Sequence, residues 1–260
     1  MKKILTIFCL SIIFISPSIA QIVKTTPAEK ITAGFEFTIG TTFEYFIQKI
    51  KFKENEFETT VSSPLIYLSA GIAPFENFYI HITGGYTPPT FKESPEFMEL
   101  PFSLQFEKNK LSFSGMSYGT KLEYKNFFET QDFGISAFLS YLYHSSSRKD
   151  WEITSLPIVT GKATGKNNWN KFQGGVIIDY FYTDNVTPYF GLYANYLSGK
   201  IDMEEKIEEL SGIQTLNYKG KSIFGVLIGS DFAVNENFII KGEVRFLSEM
   251  TIYLSLNYYF

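Results

Sequence analysis

The strongest constraint on the fold is a stretch of about fifteen residues, 31–45, in which apolar and polar side chains alternate almost without a break. Ile31, Phe35, Ile39 and Tyr45 fall on one face, together with the other apolar residues of the stretch. A period of two indicates a β-strand with one apolar and one polar face. Strands of globular proteins are usually five or six residues long, whereas a tilted strand that crosses a bilayer needs about 9–11. The alternation therefore favours a membrane-spanning strand.

The same alternation recurs and predicts ten strands. They lie near residues 31–47, 57–73, 78–88, 110–124, 132–145, 171–182, 187–198, 219–233, 238–247 and 251–260. Short turns alternate with longer polar stretches near residues 48–57, 88–109, 146–170 and 199–218, which we predict to be loops. This alternation is typical of membrane barrels. The predicted fold is all-β, a transmembrane antiparallel up-and-down β-barrel of about ten strands, with 8–12 compatible. A further hairpin within 99–113 would have to lie above the membrane, because a spanning hairpin would move every later loop to the other side.

The N-terminus carries the features of a secretory signal peptide. Lys2 and Lys3 form a basic start, residues 4–15 form an apolar run, and Ala20 ends a small-residue cleavage site before Gln21. The alternative is a membrane anchor, but the apolar run is shorter than the ~20 residues that a helix needs to span a bilayer. The expected organisation is a signal peptide (1–20), a short periplasmic lead (21–30) and a barrel (31–260).

Composition excludes several classes of function. The single cysteine, Cys9, lies in the signal peptide, so the mature chain has no thiolate metal site or disulfide. With two histidines in the whole chain, a His/Cys metal cluster is not expected, and neither is a cofactor. Removing Lys2 and Lys3 with the signal peptide changes the formal net charge from −4 to −6. No basic patch stands out in the sequence, so nucleic acid is not an expected partner.

The last strand resembles the assembly signal of bacterial outer-membrane barrels, since apolar residues alternate up to a terminal aromatic: Leu254, Leu256, Tyr258 and Phe260. The mature chain as a whole resembles the small outer-membrane β-barrel family that includes OmpA-type and opacity-like proteins. The resemblance implies location in the outer membrane. The even number of predicted strands places both termini in the periplasm, with the long loops extracellular. It also implies outer-membrane lipid, lipopolysaccharide and the barrel assembly machinery as partners. Small solutes are compatible with it, and it leaves the oligomeric state open.

Charged residues on the polar faces of the strands are the main candidate site. They are Glu36, Glu44, Lys121, Glu123, Asp179, Asp231, Lys241, Glu243 and Arg245. Inside a barrel such charges need partners. They could line a selective or gated pore, or form an ion-pair network that fills the lumen, since barrels of about eight strands are filled by side chains. We expect Arg245 to be the centre of the network and Glu36 to be its first partner.

His144 and Ser146 suggest an alternative, enzymatic function. They resemble the first two members of the His-x-Ser-Asn element of outer-membrane phospholipases and lipid A deacylases, in which His activates the Ser nucleophile, although Ser147 replaces the Asn. The ten-stranded omptin proteases carry an Asp pair that faces an Asp-x-His element. That element is missing here, because neither His81 nor His144 has an Asp two residues before it. Three functions therefore stay open: a narrow passive pore, a structural or surface-binding barrel, and a lipid-modifying hydrolase.

Overall fold

The computed structural model describes residues 36–54, 56–93, 111–156, 159–207 and 210–260. The predicted signal peptide (1–20), the predicted lead (21–30), the first residues of the first predicted strand (31–35) and most of the possible extra hairpin (94–110) lie outside the described residues. No helix long and apolar enough to cross a membrane occurs among the described residues.

The described residues form antiparallel β-structure. The strands are β1 (Glu36–Phe52), β2 (Glu58–Phe75), β3 (Phe78–Thr87), β4 (Thr90–Phe91), β5 (Leu111–Ser112), β6 (Gly115–Glu129), β7 (Phe133–Ser146), β8 (Lys149–Leu156), β9 (Val159–Tyr180), β10 (Val186–Ile207), β11 (Leu210–Gly220), β12 (Phe224–Asn235), β13 (Phe238–Phe246) and β14 (Met250–Tyr259).

Ten of these strands pair edge to edge into a closed ring. The order is β1, β2, β3, β6, β7, β9, β10, β12, β13 and β14, and β14 returns to β1. The closing pair is in register from Thr38 opposite Tyr259 to Ile47 opposite Met250. Neighbouring strands of the ring are consecutive in the chain apart from the inserted short strands. The predicted fold class, an antiparallel up-and-down barrel of about ten strands, is confirmed.

The period-two pattern puts apolar side chains on the outside of the barrel wall. On β1, for example, Phe37 and Ile39 are about half exposed, whereas Thr38 and Thr42, at alternate positions of the strand, are buried inside. On β2 and β10 the outward positions include Leu68 and Leu192, which are 71% and 60% exposed. The outer surface is therefore apolar where a globular protein would be polar, and polar groups face inward.

The two ends of the barrel differ. At the turn end, neighbouring strands are joined by tight connections, such as the one at Asn77, whose φ of 61° lies in the left-handed region that Asn tolerates. We call the opposite end the hairpin end. The strands β9 and β10 are each 22 residues long, and at this end they extend beyond the ring, where β9 pairs with β8 and β10 pairs with β11. The long polar stretches predicted as loops near 146–170 and 199–218 are thus largely paired strands.

The wall of the barrel changes at the hairpin end. Strand β12 pairs with β10, and β13 pairs with β12 and β14, only along the lower part of the wall. At the hairpin end these pairings stop at Phe224 on β12 and near Phe246 on β13. Above them β11 pairs with β10 from Ser198 onward and with β1 at Ile50 to Phe52. One strand therefore bridges the interval that β12, β13 and β14 span lower down, which draws the walls together over the lumen.

Candidate functional site in the barrel lumen

Large apolar side chains fill the hairpin end of the lumen. This hairpin-end core consists of Phe46, Ile50, Phe52, Val61, Leu65, Tyr67, Phe91, Leu111, Phe113, Ala163, Trp169, Leu197, Ile201, Met203, Leu216 and Tyr218. Its members come from the ring, from the inserted strands β4, β5 and β11, and from the β5–β6 connection, which contains Phe113. The Tyr218 ring lies 5.6 Å from the ring centres of both Phe52 and Phe91, and all three side chains are at most 1% exposed. The core therefore packs like the interior of a globular domain.

A central ion network lies directly below this core. It comprises Glu44, Lys171, Gln173, Glu243, Arg245 and Glu249. The Lys171 ammonium is 3.1 Å from Glu44, 2.7 Å from Glu249 and 4.8 Å from the centre of the Phe46 ring. Arg245 pairs with Glu243 and donates to the Gln173 side-chain oxygen at 2.9 Å, and the Gln173 amide donates to Glu249 at 2.8 Å. Side chains of β1, β9 and β13 are thereby joined across the lumen.

The expected contact between Arg245 and Glu36 is wrong. Glu36 instead accepts a hydrogen bond from the Tyr79 hydroxyl at 3.4 Å. The pairing register explains why, because Arg245 lies opposite Thr251, which lies opposite Phe46. Ten residues of β1 separate Phe46 from Glu36, which is about 33 Å along the strand. Glu44, the other candidate partner, is close to this height, but its carboxylate is held by Lys171.

The other predicted lumen charges cluster toward the turn end. Lys121 pairs with Glu123 at 3.0 Å, and Lys241 pairs with Asp231 at 3.5 Å. Asp179 accepts a hydrogen bond from the Ser136 hydroxyl. The Tyr189 hydroxyl donates to Glu243 at 2.9 Å while its ring lies 4.3 Å from the Lys241 ammonium, so this tyrosine joins the lower charges to the central ion network.

Sequence reasoning missed three members of the central ion network. Lys171 and Gln173 share the inward face of β9 with Asp179, which was identified, so strand periodicity alone would have found them. Glu249 belongs to the β13–β14 connection, where no periodicity applies. There Leu247 adopts a φ of 81°, Ser248 donates a hydrogen bond to the Tyr193 hydroxyl at 2.9 Å, and the Glu249 side chain points inward with 0% exposure. This turn folds into the lumen instead of away from it.

His144 and Ser146 do not form the arrangement that a hydrolase needs. Both side chains are buried inside the barrel. His144 Nδ1 is 3.1 Å from the Ser117 hydroxyl, and its ring stacks on Trp169 with centres 5.2 Å apart. Ser146 accepts a hydrogen bond from the backbone N–H of Asn167 at 2.8 Å. The described contacts therefore direct the imidazole to a different serine, at a place that a lipid on the outer wall cannot reach.

The residues of the predicted assembly signal lie on the outer surface of β14. Leu254, Tyr258 and Phe260 are 43–65% exposed, and the Tyr258 and Phe260 rings are in contact at 4.9 Å. The Phe260 backbone N–H donates to the Phe37 oxygen at 2.9 Å, so the chain end is held on β1. Among the described residues no group of three or more His, Cys, Asp or Glu side chains is arranged to hold a metal ion.

No protein-family model and no curated protein sequence matches this chain. Its strand arrangement is similar to several solved structures. The translocator domain of the autotransporter NalP from Neisseria meningitidis is 10% identical, with a TM-score of 0.45 over 88% of this chain and 90% of that one. The outer-membrane protease OmpT from Escherichia coli is 10% identical, with a TM-score of 0.45 over 92% and 99%. The outer-membrane protein OprG from Pseudomonas aeruginosa is 12% identical, with a TM-score of 0.39 over 86% and 95%.

At these identities the function of this chain has to be sought in its own residues. Its closed ring of ten antiparallel strands, apolar outside and polar inside, gives it the fold of a small outer-membrane β-barrel, as the sequence resemblance indicated.

Proposed function

We propose that the protein is an integral outer-membrane barrel that does not conduct solutes and that presents its hairpin end at the cell surface. One observation carries the proposal: the hairpin-end core closes the lumen, and Ile50, Phe52, Phe91 and Ile201 within it are 0% exposed. A water-filled pore needs a continuous wetted path, and side chains packed to full burial leave none at this level.

The outer surface supports insertion into a membrane. On β1 the outward apolar residues run from Phe37 to Ile47, and the next outward residue is Lys49. Ten residues correspond to about 33 Å along the strand, or about 25 Å of height at a tilt near 40°. This is the height of the apolar band on outer-membrane barrels. A closed ring also satisfies every strand edge, which lipid cannot do.

The orientation follows from the two ends of the barrel. Short turns face the periplasm and long hairpins face outward in barrels of this kind, so the turn end and both termini are assigned to the periplasm. Labelling of single-cysteine variants on intact cells, with a thiol reagent that does not cross membranes, tests this assignment. Lys53→Cys at the hairpin end should react, whereas Asn185→Cys at the exposed β9–β10 turn should not, and the reverse pattern would overturn the orientation.

The charges below the core add a second barrier. Ions passing through would have to displace Arg245 and Lys171 from carboxylates that they contact in a poorly solvated space. Separating such pairs is costly, because a buried charge without its partner is destabilising by about 3–5 kcal/mol. We therefore favour a structural or surface-binding barrel over a pore, with the barrel assembly machinery and outer-membrane lipid as partners.

A further inference from the structure

Five lysines project outward from two neighbouring strands at the hairpin end. This lysine patch consists of Lys49, Lys51, Lys53, Lys219 and Lys221. Lys51 and Lys219 are direct cross-strand partners, and the Lys221 backbone N–H donates to the Lys49 oxygen at 3.0 Å. Like charges placed opposite each other destabilise a strand pair, so the arrangement works against the local fold unless an anion compensates for it.

The acids beside the patch balance only part of its charge. Glu56 lies 3.1 Å from Lys51 and Glu58 lies 2.7 Å from Lys221. The hydrogen bond from Lys221, together with the charge of its ammonium, holds the pKa of Glu58 below its usual range.

The Glu54 carboxylate is bound by Asn217, whose backbone and side-chain N–H groups donate hydrogen bonds to it. Within the described part of the chain, no acid lies within salt-bridge distance of the exposed Lys49, Lys53 and Lys219 side chains, although the charge of Lys49 also contributes to the lowered pKa of Glu58. Three cations are therefore available to a ligand.

A shallow cavity lies within the patch. It has a volume of about 200 Å³ and is lined by Lys51, Phe52, Lys53, Glu56 and Lys219. A phosphate group is small enough to enter it, and lysine ammoniums bind phosphate as point charges without a fixed geometry. The cavity opens to the outside of the barrel wall, because the lysines that line it alternate with the inward-facing residues of the hairpin-end core.

An apolar shelf lies immediately below the patch. It exists because β12 and β14 begin, and β13 ends, below the level of β11. Four side chains form the shelf, with exposures of 47% for Ile223, 79% for Phe224, 74% for Leu247 and 41% for Met250. Met250 lies opposite Ile47, two residues before Lys49. Cations therefore stand directly above an exposed apolar surface that continues the lipid-facing band.

We infer that the lysine patch and the apolar shelf together bind a phosphorylated saccharolipid of the outer leaflet, of the lipid A type. Its phosphates contact Lys49, Lys53 and Lys219, and its acyl chains lie along the shelf. The continuity of the patch with the lipid-facing band selects a lipid over a free anion. This inference rests on the proposed insertion into the outer membrane with the hairpin end outward.

Native mass spectrometry of the refolded full-length protein in neutral detergent tests the inference. Three probes are titrated separately: bisphosphorylated lipid A, the same lipid without its phosphates, and inorganic phosphate. The test variant is Lys49→Gln/Lys53→Gln/Lys219→Gln. The control variant is Lys162→Gln/Lys206→Gln, which removes another cross-strand lysine pair. That pair lies eight residues beyond the level of Lys219 on β10, about 26 Å along the strand.

Each lysine near an anionic lipid surface changes affinity by about fivefold. The triple variant should therefore bind the bisphosphorylated lipid about a hundredfold more weakly, while the control binds like the parent. The lipid without phosphates should bind weakly to all three proteins. Equal binding of both lipids, equal loss in the control, or equally tight binding of inorganic phosphate would overturn the inference.

The fold of each variant is checked by heat-modifiable migration on gels. If the parent protein folds and inserts into vesicles but binds the lipid equally well with and without its phosphates, only this inference is refuted. If the parent protein does not insert, the proposed function is refuted as well.

Discussion

Lys171 is the buried cation whose removal should most affect stability. Its side chain is 3% exposed and its ammonium is shared by Glu44 and Glu249, whose side chains are 10% and 0% exposed. Lys171→Met keeps the length of the side chain but leaves two carboxylates without this cation. Loss of one partner of a buried pair costs about 3–5 kcal/mol. Gln173 and Arg245 still contact Glu249, so we expect the lower end, about 3 kcal/mol of the free energy of unfolding.

Urea unfolding of the protein in lipid vesicles, followed by the fluorescence of Trp151 and Trp169, measures this loss. The matched control is Lys200→Met on the neighbouring strand β10. Lys200 pairs with Asp202 at 3.0 Å, but the two side chains are 49% and 35% exposed. Such surface pairs contribute at most about 1 kcal/mol.

A third variant separates lost charge from lost packing. Lys171→Met/Glu44→Gln/Glu249→Gln replaces the two carboxylates that lose Lys171 by neutral amides, and it should recover much of the lost free energy of unfolding. Equal losses for Lys171→Met and Lys200→Met, or no recovery in the triple variant, would refute the ion network as a buried structure.

The remaining predictions concern single residues. Arg245→Gln should lower the free energy of unfolding by about 3 kcal/mol, the lower end of the range for a broken buried pair. Glu36→Gln should change it by less than about 1 kcal/mol, because one long hydrogen bond is affected, and calorimetry that finds the two equal would contradict the observed pairing. Deleting Phe260 should reduce the amount of barrel in outer-membrane fractions while leaving export intact, and unchanged levels on immunoblots would count against an assembly signal. His144→Ala should lower the melting temperature through lost packing against Trp169, and lipase activity in the parent that disappears in this variant would revive the hydrolase.

The sequence predicted the ring of strands well because a membrane barrel places one face in lipid and the other in a polar lumen. Each spanning strand then alternates for ten residues or more, and the alternation sets both its length and its orientation. The inward placement of Glu44, Glu243 and Arg245 follows from the same parity.

The hairpin-end core was missed because the apolar face switches sides beyond the outward apolar band. On β1 the outward apolar series ends near Tyr45 and Ile47, and an inward series begins at Phe46 and continues with Ile50 and Phe52. In the proposed insertion, water replaces lipid outside the wall at this height, so polar residues face outward and apolar residues face the lumen. The polar outer faces of β9 and β10 make these segments resemble loops in the sequence for the same reason. A change of parity within one continuous strand is the signal that would have indicated the core.

The partner of Arg245 could not be derived from parity alone. Parity tells which face a residue occupies, whereas contact across a lumen also depends on its height, which is set by the tilt and register of the strands. The inward turn at Glu249 is harder still to predict. It depends on Leu247 in a left-handed conformation, which a non-glycine residue rarely adopts and which only the surrounding contacts hold in place.

Single-channel recording in a planar bilayer is the decisive measurement for the proposed function. The protein is refolded, shown to be folded by heat-modifiable migration, and inserted under an applied voltage. Because the hairpin-end core and the central ion network fill the lumen, we expect a flat current trace with no discrete steps. Reproducible current steps from the folded protein would contradict the closed lumen and would favour the passive pore as the function.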